Sequence, residues 1–476
     1  MKLKKNISLG FILLTFILTG CKAYKTNLTI KERALPNSFT SETADTNSTA
    51  KINWRTYYSD PNLQALIDTA MSSNQDLLMA LQRIEIARAG KRRATGTLLP
   101  QVGLQLNGGI RKFGLYTMDG AGNISTEILP GQIVPIHLPD MIVGLQASWE
   151  IDIWGKLRNQ RKSAVAQYMS TIEGTNLVIS NLVADIANSY YSLVALDKEL
   201  EIIRAFIIKQ EEALEVIKAQ KESGNANELG VLQFRAQLLE SKALEFDVLQ
   251  KIVETENLIN FLLGRYPQPI TRSSDALDVE FSVNLETGVP SQLLEYRPDI
   301  RRAEYEVQAT RFDLKAAKAA FFPNITINAG AGFQAFNPTL LFNPASLAYS
   351  VIGNLFAPLI NMSALKAQFH MAKANQLTAM YNYQKTILNG YVEVVNELNR
   401  MQNLKNIEQL KTEQNEVLDA SVLTAEELFK RGKAEYLEIL FTQKNSLQTQ
   451  LDLVNVKKQH KQAQINLYKA LGGGWK

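Results

Sequence analysis

The sequence is poor in cysteine and histidine, two residue types that often carry metal or nucleophile chemistry. It contains one cysteine, Cys21, and three histidines among 476 residues. A single cysteine excludes any disulfide within the chain. His137, His370 and His460 lie far apart and do not form a metal-site spacing, such as two histidines four residues apart on a helix. A phosphate-binding glycine loop and a nucleophile elbow are also missing. The sequence therefore predicts no enzyme activity, no metal site and no cofactor.

A large excess of one charge is missing as well. The chain has 51 Lys and Arg against 47 Asp and Glu, a net charge of +4, without a long run of either sign. This balance argues against nucleic acid as a partner. Residues 319–365 contain no Asp, Glu, Lys or Arg, although roughly ten would be expected in an average soluble segment of this length. Because Asn, Thr, Ser and Gly are frequent there, an apolar core segment does not explain the gap.

The charge-free stretch contains a pattern typical of a membrane-crossing strand. Residues 324–333 place apolar and small side chains on one face, and polar side chains and glycines on the other. Residues 143–153 show the same alternation in the first half of the chain. About ten residues of such alternation suit a tilted strand with one face in lipid. A strand of a soluble sandwich is the alternative, but the charge gap and the N-terminus favour the membrane.

The N-terminus resembles a bacterial lipoprotein signal. A basic start, MKLKK, precedes the apolar run FILLTFIL and then LTGC at 18–21. The run is too short for a spanning helix and has the form of a cleaved secretory signal. The resemblance implies that residues 1–20 are removed, that Cys21 becomes the acylated first residue, and that residues 21–60 tether the protein to lipid. Lys22 stands where an aspartate would favour the inner membrane, so the outer membrane is implied. The alternative is a signal peptide with a chance cysteine.

Three landmarks recur in the same order in both halves of the chain. Pro100 and Pro323 each precede an alternating segment, and KESGNANELGVL at 221–232 resembles FKRGKAEYLEIL at 429–440. The segments NFLLG and YKALG then end at Gly264 and Gly472. We therefore predict a tandem duplication, each half ordered as helix, strand, loop, strand, long helix, turn and helix. The predicted boundaries are 61–265 for the first repeat, 266–298 for a connection and 299–476 for the second repeat.

Long helices follow each predicted pair of strands. Heptad-spaced apolar residues within 155–224 form a coiled-coil seam that Gln210 interrupts, and residues 361–432 have similar helical character. Each stretch could extend roughly 100 Å, and Gly224 and Gly432 mark the reversals at its end. The predicted fold is mainly α, with four barrel strands per chain. Four strands cannot close, and open edges in lipid leave backbone groups unpaired, so at least two copies must share a barrel.

Three segments resemble the outer-membrane efflux proteins, the TolC-type outer-membrane factors. The resemblance is to the lipoprotein branch that serves resistance-nodulation-division pumps. The segments are INWRTYYSDPNLQALIDTAMSSNQDLLMALQRIEIARA at 52–89, WEIDIWGKLRNQ at 149–160 and LLEYRPDIRRAEYEVQATRFDLKAAKAAFFPNITINAGAG at 293–332. The likeness covers nearly the whole mature chain, and its Arg297-Pro298-Asp299 block is fairly specific.

The resemblance implies a homotrimer with a twelve-strand transmembrane β-barrel, a periplasmic coiled-coil tunnel and an equatorial belt that includes residues 266–298. Its implied function is passive conduction of substrates from an inner-membrane pump and a periplasmic adaptor to the cell exterior. The adaptor would contact the helix tips at Gly224, Asn225, Gly432 and Lys433. An exit duct for type I protein secretion or for metal ions is an alternative. A coiled-coil structural lipoprotein that forms no channel is an alternative from another class.

The sequence departs from this family near the second tip, where members often carry an Asp-Ala pair in a stretch that narrows the tunnel. Here the run is GKAEYLEILFTQ. Glu438 lies near the first acidic position, and Phe441 stands where the second aspartate often occurs. A gate would then consist of one carboxylate ring and one phenyl ring, about two helical turns from the tip. The alternative is that Glu438 is an exposed helix charge and Phe441 a packing residue.

Overall fold

The computed structural model describes residues 26–31, 34–39, 47–224, 226–281 and 286–476. Within these ranges the chain divides into two units, each assembled from separate stretches of sequence. The strand unit comprises the described parts of Met1–Lys31, with Ala87–Tyr168 and Tyr305–Tyr381. The helical unit comprises those of Glu32–Ile86, Met169–Glu304 and Asn382–Lys476. Both units draw on both predicted repeats, so neither is formed by one repeat alone.

The first half of the chain contains six α-helices and four strands within the described ranges. They are α1 (Trp54–Tyr57), α2 (Pro61–Ser73), α3 (Gln75–Gly96), β1 (Gln101–Arg111), α4 (Met118–Ser125), β2 (Glu127–Leu129), β3 (Gln132–Ile133), β4 (Leu138–Ile151), α5 (Lys156–Glu222) and α6 (Glu228–Leu262). The small elements α4, β2 and β3 belong to the long connection between β1 and β4.

The second half contains four α-helices and two strands within the described ranges. They are α7 (Leu293–Tyr296), α8 (Pro298–Ala319), β5 (Asn324–Ala335), β6 (Leu347–Phe356), α9 (Ser363–Lys430) and α10 (Tyr436–Leu471). Both halves follow the order helix, strand, strand, long helix, helix, which confirms the predicted duplication. The two long helices begin and end within two residues of their predicted bounds. Among the described helices, none is both long enough and apolar enough to cross a membrane.

Pro100 and Pro323 stand directly before β1 and β5, as the sequence predicts. Helices α3 and α8 each end four residues earlier. A proline resists continuation of a helix, and just before a strand its missing N–H removes no hydrogen bond from the sheet. The indole of Trp154 donates from Nε1 to the carbonyl oxygen of Pro323 at 2.7 Å, and its ring stacks on Phe322. These contacts fix the helix-to-strand junction.

The four long strands form one antiparallel sheet in the order β1-β4-β5-β6. Residues directly opposite one another share a face of the sheet, and the register brings residues of like character together. Two apolar rows are Leu104, Leu145, Ala331, Tyr349 and Val102, Ala147, Ala329, Val351. A neighbouring row on the other face is Gly103, Gln146, Gly330, Ser350. The sheet thus has one apolar and one largely polar face, and β1 and β6 each have one edge that no described strand pairs.

Apolar side chains of the helices form the core of the helical unit. The predicted seam of α5 is largely buried, and Gln210, which interrupts it, is buried with neither amide atom hydrogen-bonded to a described residue. An aromatic cluster joins α1 to α10, because Tyr57 of α1 stacks on Tyr468 of α10 with ring centroids 4.2 Å apart. The Tyr468 hydroxyl donates to the carbonyl oxygen of Ile52 at 2.6 Å.

Candidate channel site at the helix tips

Two glycine-containing turns reverse the chain between the paired helices of the helical unit. Gly224 follows α5 with a φ of 78°, and Gly432 follows α9 with a φ of 68°. These are left-handed conformations in which a side chain would be strained. At the second turn, the amide of Lys433 donates to the carbonyl oxygen of Leu428 at 2.8 Å, which satisfies one of the last carbonyl groups of α9. The predicted reversals therefore lie at the predicted glycines.

The starts of α6 and α10 touch each other. Gly230 lies in the first turn of α6, and a Cβ atom at this position would be 3.5 Å from the ring of Tyr436, the first residue of α10. The amide of Gly230 is capped by the side chain of Asn227 at 3.0 Å. The ring of Tyr436 packs against the apolar core of the unit. The two tips thus form one contact surface, which extends from α6 to α10.

Glu438 lies in the first turn of α10, not two turns from the tip as its spacing predicted. The difference arises because residues 431–435 form the turn and the helix begins at Tyr436. The carboxylate Oε2 of Glu438 accepts a hydrogen bond from the backbone amide of Glu435, the N-cap residue, at 3.3 Å. A carboxylate here also interacts favourably with the positive end of the helix dipole. Glu438 is therefore a capping residue, whatever further role it has.

Phe441 is largely exposed, with 69% of its surface accessible in the single chain. Its ring lines a groove between α6 and α10 together with Ala236, Gln237 and Lys444. Lys444 forms an ion pair with Glu240 across the same groove at 3.7 Å. Phe441 is thus not a core residue of the single chain.

Two predicted site residues, Cys21 and Asn225, lie outside the described residues. Groups of three or more His, Cys, Asp and Glu arranged to hold a metal ion do not occur within the ranges that the structure describes.

Arg297, in the motif that carries the family resemblance, is buried with 8% of its side chain exposed. Its guanidinium makes a two-pronged contact with Asp299 at 3.0 and 2.7 Å, and it pairs with Glu393 of α9 at 2.7 Å. Burial alone would lower the pKa of Arg297, but the hydrogen bonds and charges of Asp299 and Glu393 outweigh it and raise the pKa. The motif therefore joins α8 to α9.

The chain's C-terminal residues close over the same motif. Gly472, with a φ of 102°, approaches the backbone of Tyr296 so closely that a Cβ atom would lie 2.6 Å from its carbonyl group. The indole of Trp475 donates to the carbonyl oxygens of Tyr296 and Gly472 at 3.2 and 2.9 Å. Sequence analysis did not predict these contacts, although the glycine-rich end, LGGGWK, indicates a tight turn.

The capping role of Glu438 and the Gly230–Tyr436 contact were also missed. The segment Glu435-Tyr-Leu-Glu438 has the spacing of a capping box, but glutamate is not among the favoured N-cap residues, so the signal is weak. Gly230 gives no local signal, because its partner Tyr436 is about 200 residues away in the sequence.

An amphipathic sheet joined to long paired helices that end in capped turns is the architecture of a membrane channel with a helical duct. Residues 66–265 and 289–473 match the model of the outer membrane efflux protein family, and the chain belongs to that family.

Its relatives are similar over almost their whole lengths. The cation efflux system protein CusC of Escherichia coli K12 is 30% identical over 427 residues, 88% of either chain. The probable outer membrane lipoprotein SilC of Salmonella typhimurium is 27% identical over 97% of either chain. The solvent efflux pump outer membrane protein SrpC of Pseudomonas putida is 28% identical over 88% of this chain and 87% of that protein.

Solved structures agree with the fold. A crystal structure of CusC superposes with a TM-score of 0.81 at 26% identity and covers 94% of this chain and 99% of that one. The outer-membrane channel OprN superposes with a TM-score of 0.83 at 22% identity, over 95% and 99% of the two chains. The chain is thus an outer-membrane efflux channel protein and not an enzyme.

Proposed function

We propose that three copies of this chain close one barrel and one helical tunnel, which conducts substrates passively out of the cell. The observation that carries the proposal is the four-stranded sheet with one apolar face and two edges that no described strand pairs. In lipid, unpaired backbone groups cost several kcal/mol each, so the edges need partners. The strands alternate in direction, so β1 of one copy meets β6 of the next in antiparallel orientation. Three copies give twelve strands, the number that the family resemblance implies.

The partners are an inner-membrane pump and a periplasmic adaptor. The contact surface around Gly224 and Gly432, with Lys433 beside it, is where the adaptor would bind, because the paired long helices of the helical unit reverse there. Glu438 and Phe441 are the proposed gate. Both lie near this end on α10, and Phe441 is not covered within its own chain.

The structure of the duct alone does not determine which substrate is exported. The relatives named above are called cation efflux and solvent efflux proteins, so chains of this kind serve different pumps. A structural lipoprotein without a channel is less consistent with the structure, since a coiled-coil spacer needs no sheet with a continuous apolar face.

A pair of neighbouring substitutions in β1 tests the barrel. Leu104 belongs to the apolar face, and Gln105 belongs to the other face. Leu104→Lys should reduce the membrane-inserted oligomer, because a lysine facing the bilayer interior costs about 2–4 kcal/mol near the midplane. Gln105→Lys should insert normally. Heat-modifiable migration in detergent gels and discrete conductance steps in planar bilayers give the two readouts.

Equal tolerance of both substitutions, or damage by Gln105→Lys alone, would contradict the assignment of the faces. Native mass spectrometry of the detergent-extracted oligomer separately tests the copy number. Two chains instead of three would refute the trimer and leave an eight-strand barrel.

A further inference from the structure

The helical segments that adjoin the strands carry a strong excess of positive charge. Four segments of the strand unit, 87–100, 152–168, 305–323 and 357–381, lead into or out of β1, β4, β5 and β6. Together they contain thirteen Lys and Arg but only three Asp and Glu. Their net charge is therefore +10, whereas the whole chain has +4, so the rest of the chain is net negative. The near balance of the full composition conceals this segregation.

The basic residues lie close to the strand ends. Arg93 precedes β1 by eight residues, Lys318 precedes β5 by six and Lys366 follows β6 by ten. Helical residues rise about 1.5 Å each and other residues span at most about 3.3 Å each, so Arg93 and Lys318 lie within roughly 20 Å of the strands. A headgroup region of roughly 5–8 Å on each side of a bilayer, extended by one Debye length of about 8 Å, covers most of that distance.

Most of these charges are not neutralised within the chain. Lys156 and Arg158 are exceptions, because they pair with Glu150 and Asp152 at the end of β4, and Arg88 also has an interaction partner. Five exposed side chains of the collar form no ion pair with a described carboxylate: Arg92, Arg93, Arg161, Arg311 and Lys366.

At least part of this charge points away from any lumen. Lys91, Arg92 and Arg93 are consecutive in α3, and at 100° per residue they cover 200° of the helix circumference. Whichever face of α3 borders the lumen, one of the three points away from it. Aromatic rings lie beside the ammonium groups of several basic residues: Nζ of Lys91 is 4.6 Å from the ring centroid of Tyr168, and Nζ of Lys162 and of Lys315 are 5.8 and 5.7 Å from that of Phe312.

We propose that this basic collar, residues 87–100, 152–168, 305–323 and 357–381, binds the phosphate groups of anionic phospholipids in the periplasmic leaflet of the outer membrane. The proposal rests on the strands crossing that membrane. Basic side chains beside a membrane surface attract anionic headgroups, and the attraction falls off within a Debye length, about 8 Å at physiological salt. The collar's position beside the strand ends satisfies this requirement. Exposed Trp149 and Trp154 at the same level are typical interfacial residues.

Lipid titration of the purified, detergent-solubilised oligomer tests the proposal. The probes are phosphatidylglycerol, phosphatidylcholine and inorganic phosphate, and the readout is the number of bound lipids by native mass spectrometry. The collar variant combines Arg92→Gln, Arg93→Gln, Lys318→Gln and Lys366→Gln. The matched control removes the same charge from exposed helical positions of the other unit, through Lys209→Gln, Arg235→Gln, Lys251→Gln and Lys405→Gln.

The wild-type oligomer should retain phosphatidylglycerol in preference to phosphatidylcholine, and the preference should weaken as the salt concentration rises. The collar variant should bind phosphatidylglycerol at least threefold more weakly, whereas the control variant should match the wild type. Millimolar inorganic phosphate should not displace the lipid. If the collar variant does not assemble, the salt dependence of the wild-type preference decides the question without it.

Three results would overturn the proposal. One is equal retention of phosphatidylglycerol by the wild type and the collar variant. Another is displacement of the lipid by inorganic phosphate, which would indicate a site for free anions. The third is a changed ion selectivity in planar bilayers with unchanged lipid binding, which would place the charges on the lumen. Channel conductance is recorded in the same bilayers. Normal conductance with one of these results refutes only the lipid site, whereas loss of conductance in the wild type would refute the channel function.

Discussion

The guanidinium of Arg297 donates a hydrogen bond to the backbone carbonyl oxygen of Ala470 at 2.8 Å, across 173 positions of the sequence. The same guanidinium holds Asp299 and Glu393. One buried side chain therefore connects the start of α8, the middle of α9 and the end of α10. Gly390 gives it room, because a Cβ atom there would lie 3.0 Å from the Arg297 side chain. The specific motif of the family resemblance has a structural role in this chain.

Replacing Arg297 should weaken the helical unit. Arg297→Met removes the charge but keeps an unbranched stem, and two carboxylates and a carbonyl group lose the guanidinium as a donor, although Asp299 keeps the amide of Ile300 and Glu393 keeps Asn389. Since Glu393 is partly exposed, we expect the free energy of unfolding to fall by about 2–3 kcal/mol, which is less than the full cost of breaking a deeply buried pair. Chemical unfolding of the detergent-solubilised protein, followed by helical circular dichroism, measures it. Lys198→Met, which breaks an exposed pair with Glu201, is the control and should cost less than about 1 kcal/mol. Equal losses of stability in Arg297→Met and Lys198→Met would contradict the structural role of Arg297.

Local periodicity predicted a large part of this fold. The alternation around Ile327 and Leu145 gave the strand faces, and the register confirms that these faces are continuous across the sheet. The heptad seam and the tip glycines located the long helices, because both signals depend only on neighbouring residues. The domain boundaries at residues 60, 265 and 298 stay predictions.

Contacts between distant residues could not be predicted in this way. Nothing local to Arg297 indicates Ala470 as its partner, and nothing local to Gly230 indicates Tyr436. Sequence spacing also did not show that the turn extends to residue 435, so Glu438 was placed about one turn too far from the tip. The collar charges were missed for another reason. They are divided among four segments, and only the sheet topology brings the ends of those segments to one level.

Acylation of Cys21 can be tested by Cys21→Ser. We expect the substitution to abolish the lipid and to slow delivery to the membrane, while the assembled oligomer keeps its fold. The strands supply their own apolar face, so acyl chains add to membrane attachment without creating it. Mass spectrometry of the mature N-terminus and fractionation of cell membranes measure these effects. An unmodified Cys21 in the wild-type protein would contradict the assignment, as would complete loss of folded oligomer in the variant.

The connections 112–137 and 336–346 should face the cell exterior. Each connection joins two neighbouring strands, whereas the long helices α5 and α9 follow the other ends of β4 and β6. A lipid anchor in the periplasmic leaflet would fix the helices in the periplasm. A protease site inserted at Gly122, in the exterior connection, should be cleaved on intact cells. The same site inserted at Ser223, near a helix tip, serves as the control and should be cleaved only after the outer membrane is opened. Cleavage on intact cells at Ser223 but not at Gly122 would indicate the opposite topology.

The gate can be separated from the helix cap, because the two roles of Glu438 need different chemistry. Glutamine keeps the acceptor oxygen that caps Glu435 but removes the charge, so Glu438→Gln should reduce cation selectivity without weakening the start of α10. Glu438→Ala should reduce selectivity and also destabilise the helix start by about 1 kcal/mol. Phe441→Ala should raise single-channel conductance, since three phenyl rings would leave the narrow end, and the double variant Glu438→Ala, Phe441→Ala should show both changes. Planar bilayer recordings measure conductance and reversal potential for each variant. If Glu438→Gln shows wild-type cation selectivity and Phe441→Ala shows wild-type conductance, Glu438 is only a helix cap and Phe441 only a groove-lining side chain. The constriction would then lie elsewhere along the tunnel.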